Sequence, residues 1–155
     1  MSKQAKRQMA GSGEALPAGV AGEVTAEVNI STSQVPAANG TLYTFATLTI
    51  PSAGIWQVYV SGELVLQSTI TNCAVIGKIV AGTGSPTIVA GTDGCVLGSG
   101  PITAALYAPY NKSAIVRCTG SCTVLFQTGS VASLSGNVAS LVGFYNGTMY
   151  AVRIA

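Results

Sequence analysis

Four cysteines, five carboxylates and six tyrosines are the groups in this chain best able to do chemistry, and no histidine stands among its 155 residues. Without an imidazole there is no Ser–His nucleophile pair and no histidine-ligated metal. Of Cys73, Cys95, Cys118 and Cys122 only the last two are close, as Cys-Thr-Gly-Ser-Cys, whereas a zinc site wants two such pairs. The cysteines therefore read as small apolar filler in strands. Cys118 and Cys122 flank the tip of a hairpin, where a short bridge across it stays open as an alternative. No export signal precedes them, so reduced thiols are expected, with later oxidation open outside the cell.

The carboxylates Glu23, Glu27, Glu63 and Asp93 are dispersed along the chain. Two of them meeting in space could form a glycosidase dyad, but that chemistry also needs a polar, aromatic-lined groove. Serine and threonine are abundant, yet no base stands ready to activate them, and Gly-x-Ser-x-Gly does not occur. Gly82-Thr-Gly-Ser-Pro and Gly98-Ser-Gly-Pro lack the lysine and the following helix of a phosphate-binding loop, so they read as connections between strands. No catalytic residue, cofactor or metal is assigned, and an enzyme is not expected. Tyr59, Tyr107, Tyr110, Tyr145 and Tyr150 could stack against a sugar, although hydrogen-bonded edges of a buried core fit most of them better. Sequons at Asn29, Asn39, Asn111 and Asn146 read as turn and strand chemistry.

The elements that would hold these groups are strands. Val, Ile and Thr number 17, 10 and 16, more than a quarter of the chain, and these residues favour a pleated surface. Leu42, Thr44, Ala46, Leu48 and Ile50 share one face by period-two alternation, as do Trp56, Val58, Val60, Gly62, Leu64 and Leu66. Further strands are expected over residues 70–80, 87–90, 102–107, 114–118 and 122–132. A last pair over 137–145 and 148–154 would be joined by a hairpin turn at Asn146-Gly147, with Asn39-Gly40 in a similar part earlier. Short strands at this spacing predict an all-β fold, an antiparallel jelly-roll sandwich over residues 23–155, with an immunoglobulin-like sandwich as the second choice. That second choice lacks cysteines paired around a tryptophan at the right distances.

Charge is scarce and uneven. Charged residues make up 8% of the chain, where a soluble domain has about 25%. Lys3, Lys6 and Arg7 hold three of the seven basic groups, and the chain beyond them is net negative, with Lys78, Lys112, Arg117 and Arg153 scattered. A nucleic-acid partner is therefore not expected. No run of apolar residues is long enough to span a bilayer, so membrane insertion is not expected either. Residues 1–22, rich in Gly and Pro, read as an extended arm rather than part of the core. Such an arm is either solvated tail or an anchoring peptide, and the candidate contacts in the second case are Lys3, Lys6, Arg7, Leu16, Pro17 and Val20. The 48% hydrophobic content would leave apolar surface after the core is filled, which predicts assembly with further copies of the chain.

The arm ends in Leu16-Pro-Ala-Gly-Val-Ala-Gly-Glu-Val24. Leu48-Thr-Ile-Pro-Ser-Ala-Gly-Ile-Trp56 and Val58-Tyr-Val-Ser-Gly62 follow, and the chain closes with Thr123-Val-Leu-Phe126, Gly143-Phe-Tyr145 and Tyr150-Ala-Val-Arg-Ile154. This pattern resembles small virion proteins of tailed bacteriophages that have a tumour-necrosis-factor-like jelly roll and assemble as trimers. The chain departs from them at its end, where relatives often carry a more basic strand and only Arg153 is present. The resemblance implies a homotrimer, a capsid decoration (cement) protein on the outer surface of the phage particle, made in the host cytoplasm. Its partner would be the major capsid protein or another virion protein. The alternative is a tail or head fibre component, a receptor-binding knob that touches host glycan or protein.

Overall fold

The computed structural model describes residues 19–35, 37–38, 40–68, 73–90, 93–97, 102–132 and 141–155. Among these, all regular structure is strand: β1 (Val28–Gln34), β2 (Leu42–Ile50), β3 (Gly54–Ser68), β4 (Cys73–Ala81), β5 (Thr87–Ala90), β6 (Asp93–Leu97), β7 (Ile102–Cys118), β8 (Cys122–Ala132) and β9 (Leu141–Arg153). One sheet has the order β1-β9-β3-β7-β5 and the other β2-β8-β4-β6. Every pairing is antiparallel. The pairs β1·β9, β2·β8, β3·β7 and β4·β6 are the rungs of one long two-stranded ribbon, with β1·β9 at one end and β4·β6 at the other. Folding that ribbon over itself puts β1, β9, β3 and β7 in one layer and β2, β8, β4 and β6 in the other. This is the jelly roll, with β5 added at one edge.

Inward residues of both layers meet in a single core. β3 supplies Trp56, Val58, Val60, Leu64 and Leu66, all buried, as its alternation requires. At the centre Phe126 of β8 faces Phe144 of β9, ring centroids 4.6 Å apart and tilted by 62°, with the Tyr110 ring 5.8 Å from Phe144. Such edge-on contacts add roughly 0.5–1.5 kcal/mol each to area burial. Trp56 is fully buried; its indole N–H donates to the Ser52 carbonyl at 3.2 Å, and the Arg153 guanidinium lies 6.0 Å from the ring centroid.

Five sequence expectations change. Asn146-Gly147 joins no hairpin but lies inside the continuous strand β9. Three steps of β9, Thr148 to Tyr145, oppose two of β3, Ser61 to Glu63, and the same excess recurs against β1. The pair is a β-bulge, and Asn146 takes φ +50° there. Residues 102–118 are likewise one strand. Pro109 sits in it opposite Glu63, and β5 pairs with β7 only over residues 115–117, so among the described residues no strand pairs with β7 beside Pro109 on the side away from β3. In β2 the register shifts between Thr44 and Ala46, which turns Thr44 out to solvent while Ala46, Leu48 and Ile50 stay inside. Finally, Cys118 ends a strand of one sheet and Cys122 begins a strand of the other, so they flank a crossing between layers rather than a hairpin tip. Gly40, with φ +78°, serves the β1–β2 crossing and not a hairpin; Asn39 lies outside the described residues.

Candidate functional site

Alternation that sends Val58 and Val60 inward must send Tyr59 outward, and the same holds for Tyr150 between Met149 and Ala151. The register then sets Tyr59 directly opposite Tyr150, and the two rings stack with centroids 5.2 Å apart and planes within 20°. The next row on this outer face is Asn29, Thr148, Ser61 and Asn111, running across β1, β9, β3 and β7. Ser61 and Thr148 share a hydroxyl hydrogen bond of 3.1 Å. Tyr59, Ser61, Asn111, Lys112, Ser113 and Tyr150 line a shallow groove of about 350 Å³. Asn29, Ser31, Asn146 and Thr148 line a second concavity beside it. At its far side Asn146 donates to the Glu63 carboxylate at 2.8 Å. The face offers hydroxyls, amides and ring edges, which suits recognition by hydrogen bonding and stacking. Of the five tyrosines expected mostly in the core, only Tyr110 is buried; Tyr59, Tyr145 and Tyr150 are half-buried on this face and Tyr107 is exposed. The alternation of β3 was the signal that could have found the pair.

The root of the arm forms a second feature. Residues 19–25 run along the end of β9 through backbone bonds. Gly22 N–H donates to Arg153 O at 2.8 Å, Arg153 N–H to Glu23 O at 2.8 Å, and Thr25 N–H to Ala151 O at 3.0 Å. Gly19 N–H donates to the buried Glu23 carboxylate at 2.7 Å. Val20, in the turn so formed, is 42% exposed. Lys3, Lys6, Arg7, Leu16 and Pro17 lie outside the described residues.

The third feature is the cysteine pair. Both thiols are buried and their sulfurs lie 2.6 Å apart. Burial pushes the Cys118 thiol up to about 12, helped by its hydrogen bond with Cys122 and by the neighbouring sulfur's charge. Among the described residues no three Cys, Asp or Glu side chains gather as metal ligands would.

No protein-family model matches the chain, and no curated protein matches it. Solved structures do. A chain in the structure of the Gx strain of infectious bursal disease virus is similar at 12% identity and a TM-score of 0.52, over 92% of this chain and 38% of that one. A chain in the Gt strain of the same virus has 13% identity and a TM-score of 0.49, over 91% of this chain and 37% of that one. The likeness is one of fold, and the chain spans little more than a third of the length of either.

Proposed function

We propose that the chain is a structural protein of a bacteriophage particle: a trimeric decoration, or cement, protein on the outer surface of the head. It would be held there by residues 1–22, with the major capsid protein or another virion protein as partner. The observation that carries this reading is the root of the arm. Backbone bonds from residues 19–25 to the last strand give the preceding segment a fixed point of departure from the edge of the five-stranded sheet. An extended peptide so launched can lie across a partner or add a strand to it, and Lys3, Lys6 and Arg7 supply charge. The jelly roll and its likeness to a chain of a virus structure agree with this reading. The test is truncation. Deleting residues 1–18 keeps every bond at the root, so the domain should fold unchanged while co-sedimentation with capsids falls sharply. Undiminished binding would refute anchoring by the arm. Light scattering at micromolar concentration tests the trimer, and a stable monomer would refute it.

A second reading, the receptor-binding knob, draws support from the Tyr59–Tyr150 face. Replacing both tyrosines by alanine should abolish adsorption to host cells if the knob reading holds, and should leave capsid attachment intact if the cement reading holds.

A further inference from the structure

We propose that Cys118 and Cys122 form a disulfide clasp between the two sheets once the chain meets a disulfide oxidant. This inference does not depend on the virion reading. Cys118 closes β7 opposite Gly54, and Cys122 opens β8 opposite Ile50. The two therefore occupy facing ends of the two layers, joined by only Thr119, Gly120 and Ser121. Both side chains are 3% exposed, and their sulfur atoms are each other's neighbours. The 82–84 turn covers them. It is pinned by Gly82 N–H to Thr123 O at 2.9 Å and Thr83 N–H to the Thr123 hydroxyl at 2.8 Å. At Gly84, where φ is +76°, an added Cβ would sit 2.9 Å from Cys122 Cβ, so the cover is close.

The chemistry balances as two thiol–disulfide exchanges. One cysteine, as thiolate, attacks a sulfur of the oxidant and expels one oxidant thiolate, leaving a mixed disulfide. The other cysteine, as thiolate, attacks that cysteine's sulfur and expels the second. The protein gives up two protons and two electrons, and the oxidant ends as two thiols. Because burial holds Cys118 in its thiol form, conversion of the folded protein is slow at neutral pH and speeds up as pH rises. A chain that folds in the presence of the oxidant meets no such barrier.

The experiment uses the full chain, unfolded and refolded in a mixture of oxidised and reduced glutathione, then denatured, alkylated and cut with trypsin. Cleavage after Arg117 and Arg153 releases residues 118–153, which contain these two cysteines and no other; Cys73 and Cys95 fall on separate peptides. The expected peptide is unalkylated at both positions and lighter by two hydrogen atoms, and prior reduction restores both alkylations. In Cys118→Ala, Cys122 should become alkylated or carry glutathione. The oxidised wild-type chain should melt higher than its reduced form, while Cys118→Ala/Cys122→Ala should show no such difference. Refolded native protein with both cysteines alkylated, or each bearing glutathione, would overturn the proposal. So would equal melting of the oxidised and reduced forms.

Discussion

Inserting one alanine between Thr148 and Met149 should cost this protein much of its stability. The bulge at Asn146-Gly147 is the extra residue that lets β9 present Phe144 and Met149 to the same core although they are five positions apart. A residue added beyond the bulge has no such device to absorb it, and every residue after it changes face. Met149 and Ala151, both fully buried, would turn outward, while Tyr150 would carry its hydroxyl into the core. Exposing a methionine costs about 1.5–3 kcal/mol, and burying a hydroxyl without a partner about 1–3 kcal/mol, for a total of about 3–6 kcal/mol. Whole domains are stable by roughly 5–15 kcal/mol. Urea unfolding followed by the emission of the buried Trp56 measures the loss. Deleting Asn146 does the opposite: Phe144 and Met149 become four positions apart, plain alternation keeps both inward, and the cost should stay within about 1–2 kcal/mol for the lost Asn146 hydrogen bond to Glu63. Asn146→Gly, which keeps the positive φ, should stay within about 1 kcal/mol of wild type, whereas Asn146→Val should lose about 1–2 kcal/mol. If the insertion unfolds within about 1 kcal/mol of wild type, with Trp56 still buried, alternation does not set the face of β9 and the reasoning fails.

Trp56→Ala should destabilise by about 3–5 kcal/mol in the same assay, since it empties a fully buried site and leaves the Ser52 carbonyl without its donor. Thr128→Val should raise stability by up to about 1 kcal/mol, because the Thr128 hydroxyl is buried without a hydrogen-bond partner and valine fills the same space. The folded Cys118 thiol lies at about 12 against an ordinary 9.0, so its contribution is whole below 9 and lost as pH rises toward 12. Reduced wild type should therefore lose more stability over that range than Cys118→Ala/Cys122→Ala, as read from urea midpoints at successive pH values.

Where apolar residues alternated cleanly, the strands were legible. β5 and β8 lie where the pattern put them, and so does β2 with its Ala46, Leu48 and Ile50 face. Two strands escaped the pattern. β1 reads Val-Asn-Ile-Ser-Thr-Ser-Gln, with only two apolar positions, because it is an edge strand with one side in water. β6 opens on Asp-Gly, a dipeptide that signals a turn when its partner strand is unknown. A hairpin turn at Asn146-Gly147 would put both residues at positive φ; only Asn146 takes it, as the first residue of a bulge can. The expected gap between residues 107 and 114 does not exist, because β7 runs on through Pro109 with β3 as its partner there. The tyrosine face was within reach, because alternation along β3 already sent Tyr59 outward. The arm root was not, since its bonds run from residues 19–25 to residues 151–153 and need the fold before they exist.

Charge and shape are divided between different parts of this chain, which makes salt the natural probe of how it is held. Three basic groups crowd the first seven residues, while the outer-face row of Asn29, Thr148, Ser61 and Asn111 carries no charge at all. Attraction through exposed charges is screened over about 10 Å at 0.1 M salt and about 3 Å at 1 M. Hydroxyl, amide and aromatic contacts hardly respond to that change. Capsid binding through the arm's charges should therefore weaken steeply with salt, and Lys3→Ala/Lys6→Ala/Arg7→Ala should both lower it and flatten its salt dependence. If the arm binds instead by adding a strand to its partner, the triple variant should bind almost as wild type at every salt concentration, while removal of residues 1–18 still abolishes attachment. Binding that ignores salt and survives both changes would have to come from the outer face of the sheet, and Tyr59→Ala/Tyr150→Ala would then be the substitution that ends it.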